Sequence, residues 1–190
     1  MSRLAHLVRH PRRTLAALAT VLTAVGITYA SGADFTAQSA NPANTFSAGT
    51  LTMNNSKANS AVLTASNLRP GAAASEGTVD IANTGTLSGA FTLTRNTPAD
   101  SDSTNPLSGK LNLIIDDCGK HAGATPPTCG DADDVETYTG TVAGMTAAAA
   151  LGTFQGGDTH RYRFRVSLDS SADNNYQGDT STVAFTWNAA

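Results

Sequence analysis

Apolar and polar residues alternate with a period of two through much of this chain, which predicts β-strands with one buried face. The pattern is clearest over 160–168, where Tyr162, Phe164, Val166 and Leu168 share one face. Shorter stretches of the same kind predict further strands over 45–53, 61–68, 77–83, 87–95, 111–115, 135–142 and 182–187. The first of these should bend at Gly49.

Turn residues separate the predicted strands. Pro70-Gly71 and Gly156-Gly157-Asp158 are strong turn signals, and the polar stretches 96–108 and 169–179 predict solvated loops. Only the alanine-rich residues 145–151 predict a helix within this region. About eight strands joined by turns predict an all-β domain over 46–190, and we expect a jelly-roll β-sandwich.

The first 33 residues have the layout of an export signal. They carry four arginines and no acid, and 14–33 is uncharged. Ser31-Gly32-Ala33 predicts cleavage by a signal peptidase between Ala33 and Asp34, with Thr28-Tyr29-Ala30 as a second choice. We expect a signal-peptide helix outside the domain, although an uncleaved membrane anchor is also open at this length. Only such an uncleaved segment would contact a membrane.

Charge and cysteine content fit an extracellular protein. Removing residues 1–33 leaves 8 of the 12 Lys and Arg and all 15 Asp and Glu, so the net charge is 8 − 15 = −7. An acidic chain of this kind repels phosphate backbones, so nucleic acid is not an expected partner. Cys118 and Cys129 are the only cysteines, and in an oxidising compartment we expect them to form a disulfide.

Three segments resemble the TasA/camelysin family of secreted β proteins from biofilm-forming bacteria. They are Asn44-Thr45-Phe46-Ser47-Ala48-Gly49-Thr50-Leu51, the stretch from Ser66-Asn67-Leu68-Arg69-Pro70-Gly71 through Asn83-Thr84-Gly85-Thr86-Leu87, and Asp173-Asn174-Asn175-Tyr176-Gln177-Gly178-Asp179 followed by Val183-Ala184-Phe185-Thr186-Trp187. Their order and spacing extend over 44–190. The cysteine loop and the alanine-rich segment depart from the family pattern.

The resemblance implies a secreted structural protein, a subunit of extracellular or biofilm-matrix fibres. Members of the family are described both as fibre subunits and as casein-cleaving metalloproteases, so a camelysin-like peptidase is an alternative, as is a monomeric surface binding module. In the fibre hypothesis, the extended arm 34–45 of one subunit completes the sandwich of the next, with Phe35 and Phe46 as candidate anchors. The expected partners are further copies of the chain and other matrix components. A flexible tail is the alternative for this arm.

The residues themselves predict no enzyme, cofactor or metal. None of the four histidines, His6, His10, His121 and His160, is followed by glutamate as in a zinc-protease helix, and no nucleophile-elbow motif occurs. A four-coordinate metal site from Cys118, His121 and Cys129 with Asp116, Asp117 or Asp131 is an alternative to the disulfide. Arg161, Arg163 and Arg165 are expected on the solvated face of their strand, with an acidic polymer as the alternative partner.

Overall fold

The computed structural model describes residues 12, 15–22, 47–123 and 125–190. The chain divides into two compact units, Met1–Phe46 and Ser47–Ala190. In the first unit, residues 15–22 are helical and lie within the predicted leader. Over the described residues, no helix combines the length and apolar character that a membrane crossing requires.

The described part of the second unit consists of antiparallel strands with little helix, which confirms the all-β prediction. The strands are β1 (Met53–Asn55), β2 (Ser75–Asn83), β3 (Gly89–Arg95), β4 (Ala99–Asp100), β5 (Leu111–His121), β6 (Val135–Thr141), β7 (Ala149–Phe154), β8 (Thr159–Leu168), β9 (Ser181–Thr182) and β10 (Phe185–Ala189). Two short 3₁₀ helices span Leu107–Gly109 and Asn174–Tyr176.

The described residues form three sheets. Five strands lie in the order β1-β2-β8-β5-β6, three in the order β10-β3-β7, and β4 pairs with β9. The strand predicted most clearly, β8, occupies the centre of the five-stranded sheet between β2 and β5. A central strand needs a covered apolar face, and β8 meets that need because Tyr162 and Phe164 are 0% and 1% exposed.

Aromatic side chains join the five-stranded and three-stranded sheets. The rings of Tyr162 on β8 and Trp187 on β10 have centroids 5.2 Å apart, and Phe164 packs edge-on against Phe185 at 5.0 Å. Phe91 on β3 stacks on Phe154 of the neighbouring β7 at 4.2 Å. The hydrophobic core therefore lies between the two larger sheets.

Two predicted strands near the start of the domain are wrong or much shorter. Of the described residues 47–53 in the predicted strand 45–53, only Met53 is in a strand, as the first residue of β1 (Met53–Asn55). The backbone hydrogen bonds of residues 50–52 depart from a regular strand ladder, because the carbonyl of Thr50 accepts from both Thr86 N and Leu87 N. Residues 61–68 form no strand at all. The turn after them is confirmed, with Ala72 N bonded to Arg69 O across Gly71 at a φ of 70°.

The helix predicted at 145–151 is also wrong. Residues 149–154 form β7, which pairs with β3 and buries Leu151 and Phe154. Alanine has a high intrinsic helix propensity, but helix would give up both the pairing and the core position of Phe154. Tertiary contacts therefore decide the structure of this segment.

The two predicted polar loops contain ordered structure. Within 96–108, β4 pairs with β9, and Ser108 is only 2% exposed because its N and Oγ both donate to Asp100, at 2.8 and 2.6 Å. The strand predicted over 182–187 is divided between β9 and β10, since each pairs with a different strand. Polar composition here reflects buried hydrogen bonding as well as solvent contact.

Candidate assembly site

One edge of the three-stranded sheet is open. β10 pairs with β3 on one side, and the described residues provide no strand on the other. Ala90 and Ala190 exchange both backbone hydrogen bonds, at 2.8 and 3.0 Å. Because bonding direction alternates along an antiparallel strand, the N–H and C=O groups of Phe185, Trp187 and Ala189 point away from β3. These three residues present an unpaired backbone edge.

A deep cleft runs beside this edge. Its volume is about 900 Å³ where it passes Val183 and Phe185, and about 330 Å³ in a second part that reaches Trp187. Apolar side chains of β5 and β8 line its floor: Leu111, Leu113, Phe164, Val166 and Leu168. A strand inserted beside β10 would cover this floor.

The far wall of the cleft is the irregular segment 61–68. This segment crosses β2 at Gly77, which lies on the same face as the buried Val79 and Ile81. A Cβ on Gly77 would be 2.2 Å from the carbonyl oxygen of Val62, so only glycine admits this crossing. Segment 61–68 and β10 thus cover the five-stranded sheet from the same side, with the cleft between them.

The two ends of the cleft differ in charge. Lys57 borders the narrow part, whereas Asp173 and Asp179 border the wide part. Asp179 accepts from Ser101 Oγ at 3.3 Å through one oxygen, and its other oxygen, Oδ2, is buried without a hydrogen-bond partner. In the described part of the chain, Asp173 and Asp179 form no salt bridge. Two carboxylates therefore border the wide end, and one of them has a buried oxygen without a hydrogen-bond partner.

The predicted disulfide is confirmed, with Cys118 Sγ and Cys129 Sγ 2.02 Å apart. It joins β5 to the loop before β6, and Cys118 is buried. The alternative metal site is excluded in its proposed form because the disulfide takes both thiolates. No group of three or more potential ligand side chains is assembled within the described residues.

The acids near the disulfide are engaged in ion pairs or hydrogen bonds. Asp116 contacts Arg163 and Arg165 at 3.1 and 2.9 Å, and Asp117 Oδ2 is 2.8 Å from His160 Nδ1. His121 lies 3.7 Å from Asp80, beyond hydrogen-bond distance. Asp131, the remaining acid of that alternative, caps the turn at Asp133 N.

The expectation that the arginines of β8 are fully solvated is wrong. Arg161, Arg163 and Arg165 point away from the core but are only partly exposed. Arg161 binds Asp80 through two hydrogen bonds of 2.7 and 2.9 Å, and the Arg163 side chain is only 13% exposed. The bonds from Arg161 hold the pKa of Asp80 below its ordinary value, against the opposing effect of desolvation. These charges are neutralised within the domain and are not free to bind an acidic polymer.

Burial also shifts the pKa of Tyr162, a core residue of β8. Burial and the nearby Asp117 carboxylate raise the pKa of the Tyr162 phenol well above its ordinary value. Tyr162 is fully buried between Trp187 and His160. It therefore stays neutral and acts in packing.

The structure describes only part of the predicted site. Ala33, Asp34, Phe35 and Phe46 all lie outside the described residues, so the predicted cleavage point and arm remain predictions. No family model matches the chain, and no curated protein matches it.

The sequence alone did not predict the open edge of β10 or the cleft beside it. Gly77 was part of a predicted strand, but no local signal showed that another segment crosses it. The open edge of β10 depends on which strands pair, and alternation within one strand does not determine this.

Proposed function

We propose that this chain is an exported structural protein, a subunit of extracellular or biofilm-matrix fibres assembled by strand exchange. The observation that carries the proposal is the unpaired edge of β10 beside an apolar cleft. An extended segment of a neighbouring copy would pair with this edge and place alternate side chains on the cleft floor.

Two physical gains favour such insertion. Each backbone bond to Phe185, Trp187 or Ala189 would satisfy a group at an otherwise unpaired edge. Each Å² of apolar surface that the strand removes from water adds roughly 25 cal/mol. Alternating side chains would supply specificity, because only one face of the strand enters the cleft.

A finer architecture follows from the same proposal. The five-stranded and three-stranded sheets would be the two layers of a jelly-roll β-sandwich, and the incoming strand would complete the smaller layer next to β10. A subunit that accepts a strand at this cleft and donates its own arm joins head to tail, and an arrangement that does not close into a ring extends as a filament.

Export is the remaining part of the proposal. The leader 1–33 would be removed before Asp34, which frees the arm 34–45. The Cys118–Cys129 disulfide supports an oxidising location, because such bonds persist mainly outside the cytosol.

The test is negative-stain electron microscopy of two purified proteins, residues 34–190 and residues 46–190. We expect filaments from the first and monomers from the second. Adding a synthetic peptide of residues 34–45 to the longer protein should stop filament growth, because the peptide would occupy the cleft and carry no domain. Filaments from the shorter protein would refute assembly through this arm.

A further inference from the structure

We propose that the incoming segment runs parallel to β10, with Phe35 in the wide part of the cleft. This inference rests on the proposed strand exchange and adds its direction and register. The edge offered by Phe185, Trp187 and Ala189 spans five positions, so a segment of at least five residues must pair with it.

The sequence of the arm restricts which residues can pair. Pro42 has no N–H, and only four residues lie between it and the first described residue, Ser47. Phe35 is the only large apolar residue in 34–41. Residues 34–41 are therefore the one stretch of the arm with five proline-free positions and a large apolar side chain.

Alternation then selects the face that enters the cleft. Phe35, Ala37 and Ser39 share one face of an extended segment, and Thr36 and Gln38 share the other. Opposite residues in paired strands point to the same side of the sheet. Phe35, Ala37 and Ser39 should therefore lie opposite three β10 residues whose side chains face the core, namely Phe185, Trp187 and Ala189.

The shape of the cleft sets the order of these pairs. Phe185 borders both parts of the cleft, whereas Trp187 borders only the narrower one. The wide part has a volume of about 900 Å³ and a floor that includes Phe164 and Val166. The narrow part has about 330 Å³ and is also bordered by the polar Asn55, Lys57 and Asn59. A phenylalanine fits the larger apolar part and an alanine the smaller one, so Phe35 lies opposite Phe185 and Ala37 opposite Trp187. Residue numbers then increase in the same direction on both strands.

Charge gives the same direction. Cleavage before Asp34 creates a cationic α-amino group next to Phe35, and in the parallel arrangement this group lies at the wide end of the cleft. Asp179 is at that end, with its Oδ2 buried and without a partner. The antiparallel arrangement would instead bring the α-amino group towards Lys57. Alternation directs the side chain of Asp34 away from the floor.

Cysteine cross-linking between copies tests the direction. Thr186 and Asn188 are exposed on β10, and Thr36 and Gln38 are on the outward face of the arm in either direction. One protein carries T36C or Q38C, the other T186C or N188C, each in the 34–190 background. The four pairwise mixtures are allowed to assemble, oxidised and analysed for covalent dimers on non-reducing gels.

The parallel register predicts dimers from T36C with T186C and from Q38C with N188C. In each crossed mixture the cysteines are displaced by two residues, which places their Cα atoms roughly 8 Å apart, beyond disulfide range. We expect at least tenfold more dimer in the matched mixtures. Dimers in both crossed mixtures would show the antiparallel direction and overturn the inference while leaving strand exchange intact. Filaments with no dimer in any mixture would overturn the register, and absence of filaments would overturn both proposals.

Discussion

Gly77 offers a direct test of how the cleft wall is held. In the variant G77A, the new Cβ would lie 2.2 Å from Val62 O and 3.0 Å from the carbonyl carbon of the same residue. Real Cβ atoms essentially never come closer than 3.0 Å to such atoms, so segment 61–63 would have to move by about 0.8 Å, the difference between 3.0 and 2.2. The obstacle is backbone, which cannot rotate away as a side-chain end can.

Forced movement of this kind in a packed region costs about 1–3 kcal/mol of unfolding free energy. For a domain of this size that corresponds to a fall in Tm of roughly 3–15 °C. Urea unfolding monitored by fluorescence of Trp187, the single tryptophan, measures the change. The disulfide must be kept intact in both proteins.

G109A is the matched control. Gly109 has no heavy atom within 4 Å of its Cβ position and needs no positive φ, so alanine there should leave stability unchanged or raise it by up to about 1 kcal/mol. If G77A unfolds at the same urea concentration as G109A, segment 61–63 does not cross β2 as described. The account of the cleft wall would then be wrong.

Three further predictions concern the domain itself. Reduction of the disulfide should lower the unfolding free energy by about 3 kcal/mol in urea titrations, and an unchanged midpoint would contradict its stabilising role. Asn83 is fully buried; its side-chain amide donates to Leu87 O and Phe154 O and accepts from Gly85 N. In urea titrations, N83A should therefore lower the unfolding free energy by about 2–4 kcal/mol, whereas N188A, at an exposed position, should lower it by less than about 0.5 kcal/mol. Equal losses would argue against the buried network. Arg161 lowers the pKa of Asp80, so the stability contributed by this carboxylate is present above the ordinary value of 3.8 and is lost as the pH falls through the lower folded value. D80N should therefore be less stable than the wild type at pH 7 and lose less stability on acidification, and parallel acid-unfolding curves would refute this.

Strands with strict alternation were predictable from the sequence. The buried faces of β2, β3 and β8, with Val79, Phe91 and Phe164 among them, follow directly from it. Burial on one face produces a local signal that does not depend on the rest of the fold. The disulfide was also predictable, because the chain has only two cysteines.

The segments predicted wrongly depend on distant partners. Residues 149–154 become β7 because β3 offers an edge, although their own composition favours helix. Residues 61–68 have strand-like alternation but form one wall of the cleft without pairing. For Arg163, alternation gave the correct face, whereas its solvation depends on Asp116 and Asp134, which come from other parts of the chain.

The unpaired edge of β10 would also present a problem of timing to a cell that makes this protein. Backbone groups at such an edge bond any extended polypeptide, so a domain folded in the wrong place could trap unrelated chains or precipitate. In the proposed assembly, the edge that pairs with a neighbouring copy must therefore first be kept away from other strands.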